Sequence, residues 1–187
     1  MFNWFDEFKD GVEAGIKTGI ESGFKVLAES VKTGIDEWLK VPEPAEPLKL
    51  VRIFRPSTTI PITQDGVTVE QDSWRIESYG ARNVLLFEVA EPSLSECLLI
   101  CKAQVKTANL YKPAQLTLSS QNAAGWNLKK QASVEGTTAW HFCQAPFHYK
   151  QERFTGSIQI SVEFESGGVF WLKDVEILQA AVKPSAK

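Results

Sequence analysis

Three prolines within six residues, Pro42, Pro44 and Pro47, divide this chain into two stretches of different periodicity. Proline fixes φ and removes a backbone donor, so residues 41–47 forbid helix and are expected to run as an extended, semi-rigid linker. Before the linker, apolar residues recur at Phe5, Phe8, Val12, Ile16, Ile20, Phe24, Leu27, Val31, Ile35 and Trp38. Their mean spacing is about 3.67, an eleven-residue period that keeps the stripe on one side of a nearly straight helix. A helix over residues 2–40 would be about 58 Å long at ~1.5 Å per residue. After the linker, from Leu48, the dominant period falls to two, the repeat of β-strands.

Glycine occupies every fourth position of the helical stretch at Gly11, Gly15, Gly19 and Gly23, and returns at Gly34. Each glycine inside a helix costs about 1 kcal/mol relative to alanine, so the five together cost roughly 5 kcal/mol. A helix that carries this penalty in register is suited to close approach of another backbone or to a surface on which it lies. A charge ladder, Glu13, Lys17, Glu21, Lys25 and Glu29, follows the opposite face, and Glu13–Lys17 and Glu21–Lys25 stand in the favourable i,i+4 order. The aromatic ends, Phe2, Trp4, Phe5 and Phe8 on one side and Trp38 on the other, match helices that lie at a lipid interface. The glycine series matches helices that self-associate or dock on a protein partner.

Charge narrows the classes further. Residues 1–40 carry eight acidic residues against five lysines, and the whole chain has a net charge of −3, so residues 41–187 are neutral. That distribution lacks the basic footprint of a nucleic-acid binder. The acidic N-terminus is unlike a secretory leader, and no stretch approaches the ~20 apolar residues of a membrane span. The three cysteines, an odd number, read as buried free thiols. The expected location is cytoplasmic, with the helix lying on a membrane surface as the alternative.

Alternating patterns mark strands near residues 50–55, 73–78, 84–88, 97–106, 114–119, 138–144, 157–165 and 169–178. Turn signals separate them at Gln64-Asp65-Gly66, Tyr79-Gly80, Glu91-Pro92-Ser93, Gln121-Asn122, Glu135-Gly136 and Ser166-Gly167-Gly168. Eight strands at near-regular spacing with no helical stretch between them predict an antiparallel β-sandwich. Cys97, Leu99, Cys101, Ala103 and Val105 share one expected face, as do Ile158, Ile160, Val162 and Phe164. The last residues, 182–187, are expected to form a disordered tail.

Four runs carry a resemblance: Leu86-Phe-Glu-Val, Leu99-Ile-Cys-Lys-Ala-Gln-Val-Lys-Thr107, Gly136-Thr-Thr-Ala-Trp140, and Gly168-Val-Phe-Trp-Leu-Lys-Asp-Val-Glu-Ile-Leu178. Over about residues 50–178 the chain resembles the galactose-binding-like jelly rolls, which include carbohydrate-binding modules. Where that family's last strand carries an acidic pair, this chain has Lys173-Asp174. The resemblance implies a jelly-roll fold and sugar binding through exposed aromatic side chains. The candidate is Trp126, in the loop Gln121-Asn-Ala-Ala-Gly-Trp-Asn127, with Tyr111, Gln121, Asn122 and Asn127 close in sequence. The competing role for Trp126 is to start a strand and pack on the core or on the N-terminal helix. Trp74, Trp140 and Trp171 fall inside strand patterns and are expected in the core.

No metal or cofactor is expected. Cys97 and Cys101 on one strand lie about 13 Å apart at ~3.3 Å per residue, too far to share one zinc. His141 and Cys143 share a face but make only two ligands. No phosphate loop or nucleophile elbow occurs, so catalysis is not expected. The expected function is interaction or tethering. The helix anchors to a membrane surface, to a second copy or to a partner assembly, and the sandwich binds. The alternatives are a carbohydrate-binding module that uses Trp126, and an assembly factor or accessory subunit of a membrane complex. An anchoring helix predicts that the full chain floats with liposomes or oligomerises while a chain starting at Pro47 does neither, and that Ile20→Glu abolishes flotation. Equal flotation and equal light-scattering mass for all three would remove the helix from the function.

Overall fold

A computed structural model describes residues 41–122, 124–125 and 127–183. The expected helix, with its face Phe5, Phe8, Val12, Gly15, Ile16, Gly19, Ile20, Gly23, Phe24, Leu27, Val31, Ile35 and Trp38, lies outside the described residues, as does Trp126. Among the described residues the chain is all β and antiparallel: β1 (Lys49–Phe54), β2 (Val67–Glu70), β3 (Ser73–Ser78), β4 (Arg82–Val89), β5 (Glu96–Asn122), β6 (Asn127–Lys150), β7 (Phe154–Phe164) and β8 (Gly168–Ala181).

The hydrogen-bonded order is β2-β3-β8-β5-β7-β4, with β1 also on β8 and β6 also on β5. The two long strands hold this order in two layers. The first half of β5, Cys97 to Ala108, pairs with β8, and the second half, Ala114 to Asn122, pairs with β7. β6 follows β5 along both halves, from Glu96↔Lys150 to Gln121↔Asn127. One layer is therefore β1 and β2-β3 on β8, then early β5 and late β6. The other is β4-β7, then late β5 and early β6. The sheet folds over at the middle of the β5–β6 pair.

Local chemistry permits the fold-over. The β5–β6 register slips three times between Val105 and Ala114, and such bulges bend and twist a strand. Asn109 and Gly136 face this corner with φ of 54° and 66°. Side chains take over where the ladder fails. The Asn109 amide donates to Thr137 Oγ1 at 3.0 Å, the Lys112 amide to Ser166 Oγ at 2.9 Å, and Thr107 Oγ1 to the Gly136 carbonyl at 3.0 Å. A Cβ on Gly168, which has φ of 153°, would stand 2.5 Å from Leu110 Cδ2 and 3.0 Å from the Asn109 carbonyl, so the corner seats on bare backbone.

Aromatic contacts then hold one layer against the other. Phe54 of β1 stacks on Phe87 of β4 at 4.3 Å, and Trp74 of β3 reaches the same ring at 4.9 Å. Phe147 and Tyr149 of β6 meet Phe154 of β7 at 5.0 and 5.5 Å, and Phe164 of β7 meets Phe170 of β8 at 6.4 Å. The expected inner faces are found: Cys97, Leu99, Cys101, Ala103 and Val105 are buried, as are Ile158, Ile160, Val162 and Phe164. Trp74 is in the core, as expected.

Several expectations need correction. The strands expected at 97–106 and 114–119 are one continuous β5, because bulges and side-chain acceptors carry the chain through Tyr111-Lys112-Pro113. Glu135-Gly136 is a bend within β6 and not a turn between strands. Residues 127–134, too polar to announce a strand, form the first part of β6 by pairing with β5. β2 went unpredicted, since four residues with one half-buried side chain leave almost no pattern. Residues 43–45 lead into a bend at Ala45 and Glu46, so the linker is not extended throughout. They are also paired: Pro44 bridges Val182, the Ala45 amide donates to the Ala181 carbonyl at 2.8 Å, and the Lys183 amide donates to the Glu43 carbonyl at 3.1 Å.

Phe87 touches two rings of the other layer and leaves an apolar void when truncated. Phe87→Ala is expected to lower unfolding free energy by about 3–5 kcal/mol in urea denaturation. A loss below about 1 kcal/mol would show that the inter-layer stack is dispensable.

Candidate functional site

The first layer presents an open outer face built by strict alternation. In β5, Lys102, Gln104 and Lys106 point away from the core, interleaved with buried Cys101, Ala103 and Val105. In β8, Trp171 and Lys173 alternate with buried Phe170 and Leu172. In β6, Trp140 and Phe142 are 38% and 62% exposed while Cys143 and Ala145 are buried. Register sets the rows across the face. Trp171 stands between Arg75 of β3 and Lys106 of β5, Lys173 stands opposite Gln104, and Gln104 opposite Phe142. Trp140 and Trp171 are therefore outer-face residues and not core residues as expected. Both phases of these strands carry apolar side chains, so alternation alone did not say which phase faces inward.

Each of the three rings is covered by one ammonium group. Lys106 Nζ lies 4.5 Å from the Trp171 ring centre, Lys173 Nζ 4.6 Å from that of Trp140, and Lys102 Nζ 4.7 Å from that of Phe142. Such contacts contribute about 0.5–1 kcal/mol at exposed positions. Arg75 packs on Trp171 as well, with its guanidinium carbon 5.8 Å from the ring centre. The Trp171 indole N–H donates to Glu70 Oε2 at 3.0 Å, which fixes the ring's orientation. Arg75 donates to Glu77 Oε2 at 2.9 Å. A bulge at Asp174, φ 48°, turns its carboxylate to accept from the Gln104 side-chain amide at 3.0 Å. The departure noted at Lys173-Asp174 thus places one lysine over a ring and one carboxylate on a neighbouring amide.

Beside Arg75 and Glu77 the face runs into a cleft of about 400 Å³. Asp65, Thr68, Tyr79 and Arg82 line the rest of it, and Arg82 pairs with Asp65 at 2.9 Å.

The outer face of the second layer differs. Its floor is Thr117, Ser119 and Ser161, all buried, and its long side chains satisfy one another. Gln159 donates to Glu88, and Lys129 and Gln131 both donate to Glu163. A ligand there would have to displace bonds already made, and the strands' outward positions carry no aromatic ring among the described residues.

The residues expected around Trp126 are placed as follows. Gln121 and Asn127 pair across the β5–β6 end, and Asn122 Oδ1 accepts the Ala124 amide at 3.0 Å in a local turn. Tyr111 is 87% exposed but belongs to the opposite end of the late half of β5, about 36 Å along the strand at ~3.3 Å per residue. The structure does not bring it to the loop.

The remaining titratable candidates are committed elsewhere. His148 Nε2 meets Glu96 Oε1 at 2.8 Å, and His141 Nδ1 meets the Ala139 carbonyl at 2.9 Å. At Glu96 burial works upward, and the hydrogen bonds and charges of Lys150 and His148 outweigh it, holding the carboxyl below the usual range. No three His, Cys, Asp or Glu side chains gather in metal-binding geometry among the described residues. The cysteines are free and buried. Burial pushes the Cys97 and Cys143 thiols up to about 11, and Cys101, the deepest, further still.

No protein-family model matches the chain, and no curated protein matches it. Solved structures do. The family 22 xylan-binding domain of Paenibacillus barcinonensis Xyn10C is 18% identical, with a TM-score of 0.44 over 63% of this chain and 81% of that one. The family 11 carbohydrate-binding module of a Clostridium thermocellum cellulosomal cellulase is 11% identical, with a TM-score of 0.45 over 76% and 99%. A structure of infectious bursal disease virus is 13% identical, with a TM-score of 0.46 over 78% of this chain and 39% of that one. The likeness to carbohydrate-binding modules is one of β-sandwich strand arrangement, and no ligand passes across from it.

Raised thiol pKa values and burial predict that no cysteine of the folded protein reacts with a thiol reagent at about pH 8, and that all three react in denaturant. A thiol titrating quickly in the native protein would contradict this packing.

Proposed function

We propose that the chain is a non-catalytic binding module that takes carbohydrate on the outer face of its first layer. One observation carries this reading: Trp140, Phe142 and Trp171 lie on one open sheet face with amide and carboxylate groups between them. A pyranose has an apolar face of C–H groups and an equator of hydroxyls. Aromatic rings accept the first, and planar amides and carboxylates hydrogen-bond the second. β8 and β6 flank β5, so the Trp171 strand and the Trp140 strand are two strand spacings apart, about 10 Å. That separation suits a short oligosaccharide lying across the strands, with Gln104 and Asp174 beneath it.

The face, and not the likeness to solved modules, supports this reading. It differs from the Trp126 loop expected from sequence, whose tryptophan lies outside the described residues. Binding is expected to quench tryptophan fluorescence in a titration with an oligosaccharide panel that includes neutral and acidic members. Trp140→Ala and Phe142→Ala are each expected to weaken binding about tenfold, or ~1.4 kcal/mol, without loss of fold. Trp126→Ala is expected to leave affinity unchanged. A panel that leaves the fluorescence of the parent unchanged, or binding lost only in Trp126→Ala, would overturn the assignment.

A further inference from the structure

We infer that the ligand of this face is an acidic glycan, a chain of linked pyranoses bearing carboxylates. The inference rests on the carbohydrate-binding reading and adds the charge of the sugar. Its ground is the arrangement of three rings and three ammonium groups. Lys102, Lys106 and Lys173 each sit over a different ring, and among the described residues none of them has a carboxylate within ion-pair distance.

Of the acidic groups that share the face, Glu77 and Glu70 lie beside a cation, Arg75. Glu77 is paired with Arg75, Glu70 holds the Trp171 indole and lies 3.8 Å from Arg75, and Asp174 accepts from Gln104. Glu176 stands opposite Lys102 in the register. Asp174 and Glu176 keep their charge on the face, and Lys102, Lys106 and Lys173 are its cations that make no ion pair with them. Lys102 and Lys106 are four residues apart on β5, about 13 Å at ~3.3 Å per residue, and Lys173 stands beside the middle of that span, opposite Gln104. The three form a triangle around the rings.

This arrangement discriminates between sugars. A neutral pyranose that stacks on Trp171, Trp140 or Phe142 must first move a lysine off the ring, and nothing in the sugar replaces the lost cation–π contact. An acidic pyranose offers each displaced ammonium a carboxylate, so ring and charge are satisfied together. Lysine suits the role because its flexible stem lets the ammonium move from ring to ligand. The lysines act as covers that an anionic sugar removes.

The test uses the full chain at low ionic strength, where surface charge is least screened. Polygalacturonate, neutral xylan, neutral mixed-linkage glucan and polyglutamate are titrated against the parent, Trp140→Ala and the triple variant Lys102→Gln, Lys106→Gln, Lys173→Gln. Thermal unfolding confirms that the variants keep the fold. The expected result has four parts. Polygalacturonate binds the parent at least tenfold tighter than either neutral glycan. The triple variant loses at least tenfold for polygalacturonate while its neutral-glycan binding holds or improves. Trp140→Ala weakens polygalacturonate. Polyglutamate, which has charge but no pyranose, binds at least tenfold more weakly than polygalacturonate. Neutral glycans that bind the parent as tightly as polygalacturonate, with no effect of the lysine substitutions, would overturn the acidic class and leave the carbohydrate reading standing. Polyglutamate that matches polygalacturonate would overturn the inference by showing that the face responds to charge alone. No binding of any glycan to the parent or the triple variant would overturn the carbohydrate reading itself.

Discussion

Everything in this fold depends on one pair of strands that belongs to both layers. β5 and β6 stay hydrogen-bonded through a slipped register, so the sheet can turn over on itself without a loop to break it. The cost of the turn is a set of backbone amides that lose their ladder partners. Thr137 and Ser166 hydroxyls accept two of these amides, and Thr107 donates to the carbonyl at the bend. The missing side chain at Gly168 lets β8 pass against this corner. With the corner made, Phe54, Trp74 and Phe87 meet across the layers at one end and Phe147, Tyr149 and Phe154 at the other.

The same corner creates the difference between the two outer faces. Because β5 changes layers, its outward residues in the first half are Lys102, Gln104 and Lys106, and in the second half Gln115, Thr117 and Ser119. The first set meets rings from β6 and β8, and the second meets amides and carboxylates from β6 and β7. One strand thus supplies a face with aromatic rings under lysine ammonium groups and a face whose long polar side chains bond one another.

The fold class was readable because its signals are local. Cys97-x-Leu99-x-Cys101 and Ile158-x-Ile160-x-Val162 need only the period of two to assign a buried face, and their burial agrees. The candidate face was less readable because its members are distant in sequence. Lys106 and Trp171 are 65 positions apart, and neither reveals the other until β5 and β8 pair. Trp171 sits beside Phe170 and Trp140 beside His141, so hydrophobicity alone gave both tryptophans to the core. The sequence reading favoured Trp126 because a loop tryptophan among amides resembles a sugar site. Trp126 itself lies outside the described residues, and the contact beside it, from the Ala124 amide to Asn122 Oδ1, is local.

By itself, the sequence determined that residues from 48 onward form antiparallel strands, that these strands bury one face, and that Pro42, Pro44 and Pro47 keep the approach to them out of helix. Those outcomes follow from period, backbone donors and fixed φ, which are properties of neighbouring residues. Tertiary structure alone decided that β5 and β6 run through both layers, that Trp140 and Trp171 face outward, and that each ring lies under a lysine. These depend on register between strands far apart in the chain, and register is set by how both layers close together on a common core.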